Sequence, residues 1–414
     1  MTIIEFYDKN HIENIASSLL CRPERVIFVG DNGKAMKRSY AVYDSFLQLR
    51  GINVQFGYCS VNKNKLGDIV DTLTHLVEKY EDCIFDLTGG DDLFLVAVGI
   101  VMEKYPALTR AHRFNFFNNS LIDCDCDGVV CQTKSFEMTV EGNISIYGGN
   151  FVTYAPDRSF YTYNWYFSGD FINDIQSIWE ICRKNESLWN AQITTLNRLV
   201  SMYSAQDSLS LSFERSEAQE LIKSEGLCFT LVEWIMYSLA NSGLIYNLRL
   251  DEVVSFTFKN EQVKRCLTVA GQALELFVAS RLRALKDDDG SAIYNDVRVG
   301  VVIDWCGDDE EDDGVQTLNE IDVMAMHGLI PIFISCKNGK FTIDELYKLD
   351  AVACEFGGDY AKKVLIATGL DRLGARGEHI RARAEDMGIR IIDGLDSLPI
   401  DEIDRILKSL WCNS

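Results

Sequence analysis

Side chains able to do chemistry concentrate in the last third of this 414-residue chain. Gly271-Gln272-Ala273-Leu274-Glu275-Leu276-Phe277 reads as an apolar helix carrying one carboxylate, Glu275. Asn319-Glu320-Ile321-Asp322-Val323-Met324-Ala325 reads as a strand that turns at His327-Gly328 into an antiparallel strand, Leu329 to Lys337. A period of two puts Glu320 and Asp322 on one face, and Ser335 and Lys337 on one face of the neighbour. A helix Glu, a strand Asp and a following Ser-Cys-Lys converge on a site for a hard divalent cation with an ammonium group beside it.

A second set lies in the first third. Phe85-Asp86-Leu87-Thr88-Gly89-Gly90-Asp91-Asp92-Leu93 is a strand, a Gly pair and a helix start. Glycines there let backbone N–H groups approach a phosphate at the helix N-terminus. Asp91 and Asp92 would oppose a phosphate, so they are expected to cap the helix. Gly30-Asp31-Asn32 follows another strand, at an edge that suits a ligand. Arg376, Arg381 and Arg383 are candidate phosphate contacts, or simply solvated helix charges.

Four other patterns fail. Gly30-Asp31-Asn32-Gly33-Lys34 has two residues between its glycines where a P-loop needs four, and Ala35 follows the Lys. Asp309 to Gly314, with Glu320 at position 12, approaches an EF-hand loop, but its flanks are β-like and position 3 is Glu311. Cys124, Cys126 and Cys131 lack a fourth ligand in register for structural zinc. Arg372 and His379 have the R-x6-H spacing of HEPN ribonucleases, yet Gly374 and Gly377 are expected to interrupt a helix there.

The elements that position these residues read as two α/β blocks around a helical middle. Apolar runs at 2–7, 25–30, 53–59 and 83–87 alternate with helical patterns at 10–20, 36–50, 64–80 and 93–104, the signature of parallel β-α-β units. Short β runs are expected at 136–140 and 144–149, and helices over most of 170–248, with Trp179, Trp189 and Trp234 as core residues. The Ser-rich stretch 202–215 is the best linker candidate. Strands return at 297–305, 319–325, 330–335, 363–367 and 389–393. This divides the chain into residues 1–160, 161–250 and 251–414.

A formal charge of −22 argues against broad electrostatic adhesion to nucleic acid, though not against a local groove. No apolar run approaches the roughly 20 residues needed to span a bilayer, and Met1-Thr2-Ile3-Ile4-Glu5 has no basic signal region. With 13 scattered Cys, reduced thiols in a cytoplasmic protein are expected.

The order of Glu275, Asp322 and Ser335-Cys336-Lys337 resembles the PD-(D/E)XK nuclease superfamily. That resemblance implies that Glu275 and Asp322 hold Mg²⁺ or Mn²⁺, with the Cys336 carbonyl as a further ligand. Lys337 would orient or help deprotonate the attacking water and stabilise charge on the phosphate. Ser335 departs from the usual carboxylate, as it does in several members of the ancillary nuclease branch. Thr88-Gly89-Gly90-Asp91, with Gly30-Asp31-Asn32 as the earlier loop, resembles CARF domains, the Rossmann-fold sensors of cyclic oligoadenylates. The whole order resembles the CARF nucleases of type III CRISPR defence. It implies an α/β chain with an N-terminal CARF domain (1–160), a helical connector for which a winged helix is open (161–250), and a restriction-endonuclease-like domain (251–414). The expected protein is a homodimer that binds cyclic tetra-adenylate and then cuts DNA and/or RNA. The rivals are a metal-independent HEPN-type ribonuclease using Arg372 and His379, and a ligand-gated winged-helix regulator that does not cut.

Overall fold

The computed structural model describes residues 1–80, 82–124, 130–131, 136–154, 160–205, 208–305, 318–339 and 341–412. Four short runs rich in Val, Ile and Phe become β1 (Thr2–Phe6), β2 (Arg25–Gly30), β3 (Gln55–Ser60) and β4 (Cys83–Asp86). They alternate with α1 (Glu13–Cys21), α2 (Gly33–Gln48), α3 (Leu66–Tyr80) and α4 (Asp92–Lys104). With β5 (Thr109–Asn115) they form a parallel sheet in the order β3-β2-β1-β4-β5, which β6 (Ser120–Asp123) and β7 (Val130–Cys131) extend antiparallel. The strand order reverses between β1 and β4, so the loops leaving their C-terminal ends flank a crevice.

Next come α5 (Val140–Ile146) and β8 (Asn150–Phe151). Residues 140–146 are therefore helical, not β. Thr139 caps the helix, accepting from the Gly142 N–H at 3.0 Å, and Val140 and Ile144 bury one face at helical spacing. Short apolar runs of this kind do not separate strand from helix by periodicity alone.

The middle holds α6 (Gly169–Cys182), α7 (Glu186–Tyr203), β9 (Ser210–Glu214), α8 (Arg215–Ser224), α9 (Glu233–Asn241), β10 (Ile245–Leu250) and β11 (Val253–Phe258). Its antiparallel sheet runs β10-β11-β9, a winged-helix-like arrangement. The expected linker at 202–215 thus carries a strand, because its Ser residues alternate with buried Leu211 and Phe213. Trp179 and Trp189 are core residues, whereas Trp234 is 37% exposed. A boundary at 250/251 passes between β10 and β11, two hydrogen-bonded strands of one sheet.

After α10 (Glu261–Cys266) and α11 (Gln272–Ala284) come β12 (Asp296–Asp304), β13 (Leu318–His327), β14 (Ile330–Lys337), α12 (Asp344–Gly357), β15 (Lys362–Ala367), α13 (Ala375–Asp386), β16 (Ile389–Asp393) and α14 (Ile400–Lys408). The sheet order is β16-β15-β14-β13-β12-β8, so β8 belongs to this sheet although it lies before residue 160. One face packs on α11 and the middle helices; the other shares a core with α1, α2, α5 and α12. The two α/β blocks are also tied by polar bonds, Asn10 Oδ1 accepting from the Asp359 N–H at 3.0 Å and Asn143 Nδ2 donating to the Phe356 carbonyl at 2.6 Å. No helix among the described residues is long and apolar enough to cross a membrane.

Candidate active site

β12 and β13 keep one register from Asp296 opposite Met326 to Asp304 opposite Leu318. The face that takes their apolar side chains nevertheless inverts part-way. Val297, Val299, Val323 and Ala325 pack on the α11 side, whereas Val301, Ile303 and Ile321 pack on the other. The inversion falls at Gly300 and Asp322. Gly300 has φ +60°, a left-handed conformation that a residue with a Cβ rarely adopts in a strand. A strict period of two therefore fails at the residue that matters most.

β14 pairs with β13 only from Ile330 to Ile334, opposite His327 to Val323. Beyond Val323 the strands part and Asp322 fills the gap. Its Oδ2 accepts from the Cys336 N–H at 2.6 Å, Ser335 Oγ at 3.1 Å and Lys337 Nζ at 3.1 Å. The carboxylate thus supplies the acceptor that a continued ladder would have given Cys336. Lys337 also meets Glu345 at 3.0 Å, and Glu345 meets Lys348 at 2.9 Å. Asp322, Ser335, Lys337, Glu345, Lys348 and Glu320 line a cavity of about 460 Å³ between β13, β14 and α12.

Glu275 enters from the first turn of α11 and is 7% exposed. Gln272 Nε2 donates to its Oε2 at 2.5 Å. Gly271, at φ +88°, lets the carboxylate fold back over the helix start; a Cβ there would lie 2.6 Å from Glu275 Oε1. Burial first, then Asp322 and Glu320, push the Glu275 carboxyl well above the usual range. Burial and Asp322 raise Glu320 as well, against the opposing charges of Arg265 and Lys337. Burial works against the Lys337 charge, but Asp322 and Glu345 outweigh it and hold the ammonium above the ordinary lysine range.

The sequence-derived set Glu275, Asp322, Ser335, Cys336 and Lys337 is therefore brought together. Among the described residues, no group of three or more His, Cys, Asp or Glu is gathered as a metal site. Glu345 and Lys348 escaped the sequence. Thr342-Ile343-Asp344-Glu345 has the spacing of a capping box, which makes Glu345 look like a local cap. It turns to Lys337 instead.

Gly30 at the end of β2 with Asp31 and Asn32 beyond it, and Thr88, Gly89, Gly90 and Asp91 after β4, lie on the same edge of the N-terminal sheet. Lys63 joins them, 3.3 Å from Asp31 and 3.3 Å from Asp91. Nothing in its Asn62-Lys63-Asn64 context marks it in the sequence. Asn32 caps α2 through the Ala35 N–H at 3.1 Å. Asp91 stands at the start of α4 without a side-chain cap, since its carboxylate goes to Lys63. The Thr88 hydroxyl is engaged within the fold: Oγ1 donates to Asp86 and accepts from the Phe114 N–H at 2.8 Å. Gly90 has φ +97°, and a Cβ there would lie 2.6 Å from Phe6 Cβ, so its freedom serves packing.

Other candidates are engaged elsewhere. Arg381 pairs with Asp371 at 2.5 Å and Asp393 at 2.9 Å, and Arg383 with Asp386 at 3.8 Å. Arg372 pairs with Glu186 and, at 3.6 Å, with Asp396. α13 does run through Gly377, whose missing Cβ permits close approach to the Leu370 carbonyl. Cys126 and the 309–314 loop fall outside the described residues, as does the side chain of Cys131.

Residues 260–410 match the family model of the Card1-like endonuclease domain. Glu275, Asp322 and Lys337 all lie within that span. The C-terminal block is thus similar to Card1-like endonuclease domains. The fold is shared over the whole chain with protein VC1899 from Vibrio cholerae, with a TM-score of 0.72 and 18% identity over 100% of this chain and 99% of that one. It is also shared with Can2 from Sulfobacillus thermosulfidooxidans in complex with cyclic tetra-adenylate, with a TM-score of 0.64 and 15% identity over 98% of this chain and 99% of that one. No curated protein sequence matches the chain. The order of N-terminal α/β block, helical middle and C-terminal α/β block is thus an architecture shared with both structures.

Proposed function

We propose that this protein is a nuclease of type III CRISPR defence, switched on by cyclic tetra-adenylate and cutting DNA and/or RNA with Mg²⁺ or Mn²⁺. The observation that carries this reading is Asp322, set where β13 and β14 part, with Ser335, Cys336 and Lys337 all directed at one carboxylate oxygen.

The donor set fits a hard cation, because Glu275 is buried against Asp322 and Glu320 and a positive ion would relieve that like-charge pressure. Glu275 and Asp322 would hold it, with the Cys336 carbonyl as a further ligand. A divalent ion bound there lowers the pKa of a water and neutralises charge on a phosphate. Lys337 stays charged between Asp322 and Glu345. It therefore suits orienting water and stabilising phosphate oxygens rather than accepting a proton. Ser335 fixes the Asp322 carboxylate, a positioning role that needs no third anionic ligand.

The N-terminal loops would take the activator. The Can2 structure is a complex with cyclic tetra-adenylate, and here Lys63 supplies a cation between Asp31 and Asp91, beside Gly89 and Gly90. α4 leaves Leu95, Val96 and Ile100 exposed at 46%, 49% and 44%, an apolar face next to the loops that suits a second copy of the chain. A two-fold ring across a C2 dimer then meets the same loops twice. The engaged side chains of Arg372 speak against the HEPN alternative.

Labelled single- and double-stranded DNA and RNA incubated with Mn²⁺, with and without cyclic tetra-adenylate, test the proposal. Cleavage should require both, and EDTA should abolish it. Absence of cleavage of every strand under these conditions would refute the assignment.

A further inference from the structure

Between β8 and α6, every second residue from Tyr161 is aromatic: Tyr161, Tyr163, Trp165 and Phe167. Thr162 anchors this segment, its N–H on the Val152 carbonyl at 2.8 Å and its Oγ1 accepting from the Val302 N–H at 2.8 Å. Trp165 is buried, Tyr163 meets its ring edge at 4.7 Å, and Tyr166 is 75% exposed. Arginines lie over the remaining rings. The Arg265 guanidinium stands 4.5 Å from the Tyr163 centroid and 5.7 Å from that of Tyr161, and Arg283 stands 4.7 Å from Phe167. Together with Arg298 these rings wall a groove of about 690 Å³, larger than the cavity at Asp322.

Arg265 connects the aromatic segment with the acidic cluster: it reaches the rings on one side, and its charge is felt by the Glu320 carboxyl on the other. Its Nε is buried and, among the described residues, has no hydrogen-bond acceptor. The acids on the groove wall are Glu141 and Asp296, and Asp296 is paired with Arg298 at 3.0 Å. In a chain of charge −22, arginines interleaved with aromatic rings make a local exception. Such a surface suits a polyanion whose flat faces are free. A duplex hides its base faces, whereas an unpaired strand offers them for stacking, and arginine adds both phosphate contact and cation–π attraction.

We infer that this groove is a strand-holding subsite that stacks unpaired bases on Tyr161 and Tyr166 and meets the flanking phosphates with Arg283 and Arg298. The inference rests on the nuclease reading of the Asp322 site and adds a binding site outside it.

The test uses the full chain with Mn²⁺ and cyclic tetra-adenylate, offered labelled dT20, U20, a duplex of equal length, and a tetranucleotide too short to fill the groove. Tyr161→Ala and Tyr166→Ala should each raise KM for the unpaired 20-mers roughly tenfold, the range expected for one lost stacking contact. kcat and tetranucleotide cleavage should hardly change, and Tyr161→Phe, which keeps the ring, should restore KM. A loss confined to dT20 or to U20 upholds the groove and identifies the sugar it accepts. Unchanged KM in both alanine variants overturns the inference while leaving the nuclease reading intact. So does an equal loss on the tetranucleotide or on the duplex. If the wild type cuts nothing, the nuclease reading fails, and fluorescence anisotropy of dT20 still decides the groove. Binding weakened by Tyr161→Ala upholds it, and no measurable binding overturns it.

Discussion

Each α/β block gathers acids near the ends of its strands, and the two groups have opposite fates. In the N-terminal sheet, Glu5 and Asp86 face each other in register on β1 and β4, both at 0% exposure. Burial and Asp86 push the Glu5 carboxyl well above the usual range. Asp86 is held below its usual value against burial, chiefly by His112 at 3.5 Å, with Ser17 and Thr88 assisting. In the C-terminal block, buried Glu275 on α11 feels the same combination of burial and like charge, and the more exposed Glu320 is raised less. The difference is strand pairing. β1 and β4 stay paired up to the acids, which seals them, whereas β13 and β14 part at Val323 and open a cavity beside Lys337. Raised carboxyl pKa values mark both groups, so they do not by themselves identify chemistry; access does.

The largest expected effect separates the two groups outright. Lys337→Ala should lower single-turnover cleavage by roughly 10³-fold, as when a charge-stabilising donor is removed. Activator binding, measured by titration calorimetry, should be unchanged because the lesion lies in the other block. Near wild-type cleavage in that variant would leave the open group no more chemical than the sealed one.

A smaller effect sharpens the sealed side. Glu13 borders Glu5, is 8% exposed, and accepts from the Tyr360 hydroxyl at 2.7 Å. Burial is the main force that pushes its carboxyl up to about 7. An acid with a raised folded pKa binds its proton more tightly in the native state, so ionisation costs stability as pH rises from about 4.5 to about 7, and the loss is complete above that. Glu13→Gln keeps an acceptor for Tyr360 and removes the charge. It should be more stable than wild type by up to about 3 kcal/mol at pH 8, the two converging near pH 4.5 in urea unfolding. An equal difference at both pH values would show that the carboxyl does not titrate in that window.

The smallest effect concerns Ser335. Its Oγ is one of three donors on Asp322, and the Cys336 N–H and Lys337 remain without it. Ser335→Ala should therefore cost about 1 kcal/mol, close to a fivefold loss of cleavage. A loss as deep as that of Asp322→Asn would give the hydroxyl a direct part in the reaction.

Much of the molecule was legible in the residues alone, and the limit has a physical cause. Apolar runs bounded by polar turns specify β1, β2, β4, β13 and β14, because a strand buried on both faces needs little beyond its own composition. The helix Glu, strand Asp and Ser-Cys-Lys spacing located Glu275, Asp322 and Lys337, since each stands in an apolar stretch where a charge is costly without purpose. Only the tertiary structure decided the rest. The face inversion at Gly300 and Asp322 depends on a backbone angle, the splay beyond Val323 on where pairing stops, and Glu345 and Lys63 on helices and loops meeting strands distant in sequence. The Thr-Gly-Gly loop makes the same point in reverse: local pattern placed it at the sheet edge, but its hydroxyl is spent on Asp86 and Phe114. Sequence spacing constrains neighbours along one strand or helix, whereas long-range packing determines which polar groups are already satisfied and which remain open to a ligand.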